Sequence, residues 1–509
     1  MRPDSLLSSN ESGPLIKENA VFPDQRGLPH MMKFLSGKLT AFRSCFSRNA
    51  AYQWFVIVVM GLLTRGDFLG VTSIINALGL YDGCYECLLH LFRSASYCRR
   101  HIFSAWLGIV RKDDHLFRFN GRVLLLGDGT KQHKEGRRMP AVKKLHQESE
   151  DTSKPAYIWG HMFGGIGAVL TDSVQYFCVP LIFTIQDGLR EMASWSDECS
   201  EFALSHVVLT IRNAYEAART LGKSYLVLDR YFLTVPLLTE LNRLNGSDHI
   251  LDVITRAKNS CVAYDPPESS PSKRGRPRKK GASHKLYSLF DESSDKFTEA
   301  SVSMYGQTEK VLYLSLDLLW GQKLYQELRF VLVKSSRGKC IFASTDLSMD
   351  PTKIIESYSY RFKIECTFKS FKQQLGGFLY HFWSKSMPKL NRYKKKSAPS
   401  ELSQVTDETE RRRIINTVEA SQRFVLFSCI ALGLAQMMAL QPNIARAVRK
   451  RRFLRTASEN KVSEATILEY LRKNIFRFML RWPDSEITRI IMAHQKPGID
   501  DDFDETWAA

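Results

Sequence analysis

Two aspartates stand at the ends of apolar runs that read as buried strands: Asp128 directly follows VLLLG, and Asp229 directly follows YLVL. In α/β sheets, ligands and chemistry gather at the carboxyl ends of strands. A carboxylate buried there is costly without a cation, and two such positions could share a divalent metal. Taken alone, a strand-end aspartate is more often a helix cap or an ion-pair partner.

A third acid lies in a sharper setting. In ESYSYRFKIECTFKSFK, the residues Tyr358, Arg361, Glu365 and Lys372 follow one another at steps of 3, 4 and 7. At about 100° per helical residue they fall within roughly 60° of one another. One helix face then carries a carboxylate flanked by a phenol, a guanidinium and an ammonium. Ile364, Phe368 and Phe371 lie beside that face as an apolar stripe able to anchor the helix on a sheet. The competing reading is an ordinary amphipathic helix with a solvated face.

These residue types suit phosphodiester chemistry. Two Mg2+ ions about 4 Å apart can activate an attacking water or hydroxyl and stabilise the leaving oxygen. Mg2+ needs a few hard oxygen ligands, because it keeps waters and takes substrate phosphate as a ligand. Two aspartates and a glutamate meet that need. Arg361 could grip phosphate oxygens in pairs, and Lys372 offers a compact point charge.

The rest of the chain must position this set. It has 509 residues with 72 Lys plus Arg against 53 Asp plus Glu, a formal charge of 72 − 53 = +19. At 44% hydrophobic and 11% aromatic residues it can bury a sizeable core, which excludes wholesale disorder. So large an excess of cations points to a polyanionic partner, nucleic acid or an anionic membrane surface. The N-terminus lacks the basic and apolar regions of a secretory signal. Phe55 to Leu63, nine residues, is too short to span a bilayer; Phe424 to Leu440, seventeen residues, is marginal against the roughly 20 required. The second run is expected to be a buried helix rather than a membrane span.

Composition divides the chain into six parts. Residues 1–40 read as a flexible arm and 41–115 as a helical DNA-binding region with Arg93, Arg99, Arg100 and Arg111 between apolar positions. Residues 116–260 alternate strand-like and helical patterns, as a central-sheet α/β domain does. Residues 261–345 read as a β-rich insertion with a basic loop, 346–390 as the continuation carrying Glu365, and 391–509 as a polar linker, placed at 391–413, followed by helices. Ten cysteines suit a reduced compartment. Cys84, Cys87, Cys98 and His101 have the count and inner spacing of a tetrahedral zinc site. The stretch between them reads as an apolar-faced helix without knuckle turns, so packed helix cysteines are the favoured reading.

The string Tyr358-x2-Arg361-x3-Glu365-x6-Lys372 resembles, at every fixed position, the Tyr-Arg-Glu-Lys signature of the insertion sequence four family of bacterial DDE transposases. DGT at Asp128 and LDRYF at Asp229 are similar to the settings of that family's two catalytic aspartates. The gap from Asp229 to Glu365, 365 − 229 = 136 residues, resembles the family's β-rich insertion before its glutamate. The similarity covers about residues 120–390.

The resemblance implies an RNase H-like catalytic domain, interrupted by the insertion and flanked by N- and C-terminal helical regions. Its activity would be cut-and-paste transposition in the bacterial cytoplasm, at the nucleoid. Asp128, Asp229 and Glu365 would bind two Mg2+ ions, with Mn2+ able to substitute. Tyr358, Arg361 and Lys372 would contact the cut strand. The DNA partners would be terminal inverted repeats and target duplex, paired by a homodimer. Trp320 is the candidate to stack an extruded base during hairpin formation, against a packing role in the insertion. Ser272–Gly281, SKRGRPRKKG, resembles an AT-hook that would lay Arg274 and Arg276 in a minor groove; the plainer reading is a solvated basic loop on phosphate. Basic clusters at Arg137–Lys144, Arg392–Lys396 and Arg446–Arg455 are read as phosphate contacts or solubilising faces. The principal alternative is a catalytically silent terminal-repeat DNA-binding protein. A sequence-tolerant nuclease and a membrane-surface protein follow.

Overall fold

The computed structural model describes residues 27–68, 70–147, 155–267, 278–393, 400–449 and 461–496. The fold is mixed α/β: the strands join in one thirteen-stranded sheet, with helical segments before and after it in sequence.

Helix begins earlier than composition suggests. Helix α1 (Gly27–Thr40) buries Met31, Met32, Leu35 and Leu39, a spacing that lines one face. Helix α2 (Asn49–Thr64) is apolar around most of its girth and runs through the core. Helices α3 (Cys84–Arg93) and α4 (Arg99–Arg111) follow. Cys84 and Cys87 take helical positions in α3, with Cys84 buried and its Sγ 3.8 Å from the His494 carbonyl. Cys98, exposed, immediately precedes α4.

Strands β1 (Arg122–His133), β2 (Tyr157–Thr171) and β3 (Tyr176–Ile185) form an antiparallel meander. The chain then crosses through helix α5 (His206–Leu221) to β4 (Ser224–Leu228), and through α6 (Val235–Asn245) to β5 (Leu251–Arg256). Strand β4 lies parallel to both β1 and β5, so the spatial order is β3-β2-β1-β4-β5. Every residue of β4 is buried, as an inner parallel strand requires.

Residues expected to form the insertion contribute a second antiparallel series: β6 (Thr298–Met304), β7 (Gln307–Trp320), β8 (Gln326–Ser335) and β9 (Gly338–Ser344). It is not a detached lobe. Strand β9 pairs with β5, Phe342 opposite Arg256 and Ser344 opposite Ile254, so the two sheets are continuous.

Asp350 then caps helix α7 (Pro351–Tyr358), accepting from the Thr352 N–H at 2.8 Å, with Pro351 in the first turn. A 3-10 turn, Ser359–Arg361, separates α7 from α8 (Phe362–Gln373). The Tyr-Arg-Glu-Lys string therefore spans two helices and a tightened turn instead of one regular helix.

Helix α9 (Glu408–Leu440) and helix α10 (Glu464–Arg481) complete the labelled elements. Asp407 caps α9 through the Glu410 N–H at 2.8 Å, so residues 408–413, expected in a linker, are its first turns. The most apolar window of α9 is 94% buried within the protein, and the helix packs against β3 and α2. Trp106 of α4 donates its indole N–H to the Pro180 carbonyl at 3.0 Å. Gly433 of α9 lies so close to that indole that any Cβ would strike it. This is the one helix long and apolar enough to cross a membrane among the described residues, and its apolar surface is covered by protein.

Candidate active site

The register of β1 and β4 places the two aspartates. Val123 lies level with Ser224 and Leu126 with Val227. Carried two residues past its last pair, this register sets Asp128 beside Asp229, the residue that follows β4, with both side chains on one face. Asp128 itself remains within β1, which continues to His133; the strand-end expectation holds for Asp229, which directly follows β4. The Thr255 hydroxyl donates to the Asp229 carbonyl at 2.9 Å and ties that end to β5.

Glycines decide which face this is. Gly165 of β2 pairs with Asp128, and a Cβ on it would strike the Phe183 ring and reach within 3.1 Å of Phe368 on α8. A Cβ on the next residue toward the N-terminus, Gly164, would strike Gln186, to which Thr210 of α5 donates a 3.1 Å hydrogen bond. Successive strand residues face opposite ways, so α8 and α5 cover opposite faces. Asp128 shares the α8 side. Ile364, Phe368 and Phe371 are buried, and both phenylalanines pack on Phe183 with ring centroids 5.0 and 4.9 Å apart. The apolar stripe thus anchors the helix as its spacing indicated.

This packing brings together all six residues of the expected triad and its flank. One Nη of Arg361 donates to Asp128 Oδ2 at 2.9 Å and the other bonds Glu365 Oε1. The Tyr358 hydroxyl donates to Asp229 Oδ1 at 3.4 Å. Lys372 donates to Thr130 Oγ1 at 2.7 Å and to the Lys131 carbonyl at 2.9 Å. A cleft of about 450 Å3 opens beside Asp128 and Glu365, with Lys369 and Lys372 along its wall.

Electrostatics follow from that crowding. Burial pushes the Asp128 carboxyl up to about 6; Arg361 and the Gly129 N–H pull it down, while Asp229 and Glu365 push it up. Burial alone would lower the Arg361 pKa, but Asp128, Tyr358, Glu365 and Asp229 together hold it above its ordinary value. Burial raises the Tyr358 phenol and lowers the Lys372 ammonium. Asp128 therefore feels both other carboxylates, and the Arg361 guanidinium compensates it.

The donor set suits a divalent ion: hard carboxylate oxygens from two adjacent strands and one helix, beside an open cleft. Among the described residues no group of three or more His, Cys, Asp or Glu is poised to hold a metal as it stands. The Arg361 guanidinium bonds both Asp128 and Glu365, so a cation already sits between these two acids.

Several neighbours carried little sequence signal. Thr130 and the Lys131 carbonyl position Lys372, and Gly165 makes room for α8. Arg256 lies level with Asp229, because Leu228 pairs with Thr255; its buried Nε has no hydrogen-bond partner. The string GDGT could have flagged Thr130, but nothing linear links Arg256 to Asp229.

Other expected sites lie apart. Trp320 ends β7, half-buried against the core, with its indole toward Cys261, and does not line the cleft. Arg274 and Arg276 lie outside the described residues. Of the two later basic clusters, Arg392 and Arg446–Arg449 fall inside them. Comparison of the chain with protein-family models, curated proteins and solved structures gives no match.

Proposed function

We propose that the chain is a DNA strand transferase of the cut-and-paste type, a transposase acting on the terminal inverted repeats of an insertion sequence. The observation that carries this reading is that Asp229, at the end of the strand parallel to β1, and Glu365 of α8 are both within electrostatic reach of Asp128. Supporting it is the order of an antiparallel three-strand meander followed by two parallel strands, in keeping with an RNase H-like core interrupted before its glutamate. The work would be done in the bacterial cytoplasm, at the nucleoid, by two copies pairing two DNA ends.

Asp128, Asp229 and Glu365 would hold Mg2+, or Mn2+ in its place. When bound, the metal supplies an activated attacking oxygen and charge neutralisation at the leaving oxygen. The remaining roles belong to the chain. Lys372, fixed by Thr130 and the Lys131 carbonyl, presents its ammonium to a phosphate beside the carboxylates. Lys369 on the same wall adds a second cation. Tyr358, hydrogen-bonded to Asp229, fixes that carboxylate's orientation and limits water on the strand-end side. The long α9 holds β3, and through Phe183 the seat of α8, so that the glutamate stays in register with the aspartates.

The deciding experiment compares wild type with Glu365→Gln on labelled DNA carrying the ends that flank the chain's own reading frame, with Mg2+ and with EDTA. Metal-dependent nicking at the ends by wild type, with a variant that binds but does not cut, is the expected result. If both bind alike and neither cuts, the protein is a terminal-repeat binder without catalysis.

A further inference from the structure

Arg361 occupies the space between two of the carboxylates, and the fold fixes its backbone there. The 3-10 turn Ser359–Arg361 is pinned by Tyr360, whose ring lies 5.4, 6.1 and 5.2 Å from those of Phe117, Phe119 and Tyr176. The turn cannot slide without emptying that aromatic cage. The side chain is freer: it is 17% exposed, Glu365 is 40% exposed, and the next residue, Phe362, is 56% exposed. The guanidinium can therefore leave toward solvent and the cleft by rotation about its own bonds.

Resting on the proposed reading of the triad, we propose that Arg361 is a built-in counter-ion that stands in for the metal. In the metal-free protein its planar fork bridges Asp128 and Glu365, which keeps the acids together and blocks adventitious cations. A divalent ion needs the same carboxylate oxygens and displaces the fork into the cleft, where a DNA phosphate is its next partner. Arginine suits both positions, because its rigid fork pairs equally with carboxylate and phosphate, whereas a lysine at this position could neutralise but not bridge. Phosphate contact by Arg361 would thus follow metal loading, so a centre without metal would not grip its DNA strand through this residue.

The test is Mn2+ binding by the full chain, read by electron paramagnetic resonance in the absence of DNA. Wild type is compared with Arg361→Gln, Arg361→Lys and Lys363→Gln, and Asp128→Asn identifies the site. Giving up charge-assisted bonds to two carboxylates corresponds to about tenfold or more in affinity. Arg361→Gln is therefore expected to bind Mn2+ at least about tenfold more tightly. Lys363→Gln, which removes a charge of the same helix that does not line the cleft, should change little. Thermal unfolding without metal should show Arg361→Gln destabilised and restored by Mn2+; Arg361→Lys, keeping a cation, covers the case in which the glutamine variant fails to fold. If wild type binds Mn2+ in an Asp128-dependent way and neither Arg361 variant binds more tightly, the counter-ion role is overturned and the triad reading stands. If no variant shows Asp128-dependent binding, the triad reading falls with it.

Discussion

Lys134 offers a test of the architecture behind the site that is independent of catalysis. It follows β1 directly, is 2% exposed, and donates to the carbonyls of Phe378 and Tyr380, the latter at 2.9 Å, in the segment that leaves α8. Burial lowers its pKa from 10.5 to about 7. Below about pH 7 the folded and unfolded chains both hold the proton, and the folded state bears the whole cost of a buried charge. Between 7 and 10.5 the unfolded chain holds a proton that the folded one has released, so stability rises with pH. The full cost is about 5 kcal/mol, from ~1.4 kcal/mol per pH unit across that window, and about 2 kcal/mol of it disappears between pH 7 and 9. His161, His381 and Glu135 are the titratable neighbours. Burial lowers both histidines, His161 to about 3, so neither takes up charge across this range. Lys134→Met removes the ammonium and leaves two carbonyls without a donor, a loss that does not vary with pH. The stability of the variant relative to wild type should therefore fall by about 2 kcal/mol from pH 7 to 9, whatever its absolute level. Urea unfolding of the metal-free chain at both pH values measures this. A difference between the two proteins that stays constant across the range would refute the buried-charge argument.

Gly165→Val should expel α8, because its Cβ meets Phe183 and comes within reach of Phe368; Mn2+ binding and nicking should both be lost, with stability lowered by about 1–3 kcal/mol. Retained metal binding would show that α8 tolerates the displacement. Arg65, 1% exposed, donates to the Gly70 carbonyl and Ser73 hydroxyl at 3.1 Å and to the Leu375 carbonyl, joining the end of α2 to the end of α8. Arg65→Met should cost about 1–3 kcal/mol in unfolding measurements, chiefly by leaving the Leu375 carbonyl without this donor, since the Ser73 hydroxyl still donates to Gly70. Trp320→Ala separates two roles: from its half-buried place at the end of β7, we expect a lower unfolding midpoint with nicking and hairpin yields unchanged. Loss of hairpin product with nicking retained would instead give the indole to an extruded base.

Asp128, Asp229 and Glu365 were legible because each sits beside a periodic signal strong enough to survive tertiary packing: two buried strands and one apolar helix stripe. Their coincidence was expected from the chemistry and the family resemblance and not from periodicity, since it depends on a parallel register fixed only when α5 folds back between β3 and β4. The break at Ser359–Arg361 was hidden for a related reason. A helical period continues across a 3-10 turn with a small rotation, and only the aromatic cage around Tyr360 shows why the turn tightens there. Composition also misplaced the start of helix at both ends of the chain. Gly27–Thr40 and Glu408–Arg413 are polar outside, but packing of Met31, Leu35 and Ile414 carries the helix through them. Lys134 and Arg65 gave no signal at all, because a buried cation satisfied by backbone carbonyls looks in sequence like any surface base.

The charge of the whole chain and the charge of its centre have opposite signs, and this opposition bears on how a polyanion could be handled. Three carboxylates within electrostatic reach would repel a phosphate at close range, where screening is weak. A net charge of +19 attracts DNA from a distance without correcting that local repulsion. The correction must come from a cation among the acids themselves. Lys372 is engaged with Thr130 and the Lys131 carbonyl, whereas Arg361 bonds both Asp128 and Glu365. Neutrality at the centre is therefore supplied by that guanidinium, or on the proposed reading by metal in its place. On the proposed reading, metal would free the charge of Arg361 for a DNA strand, so a single side chain would make the affinity of the cleft for phosphate conditional on the ion.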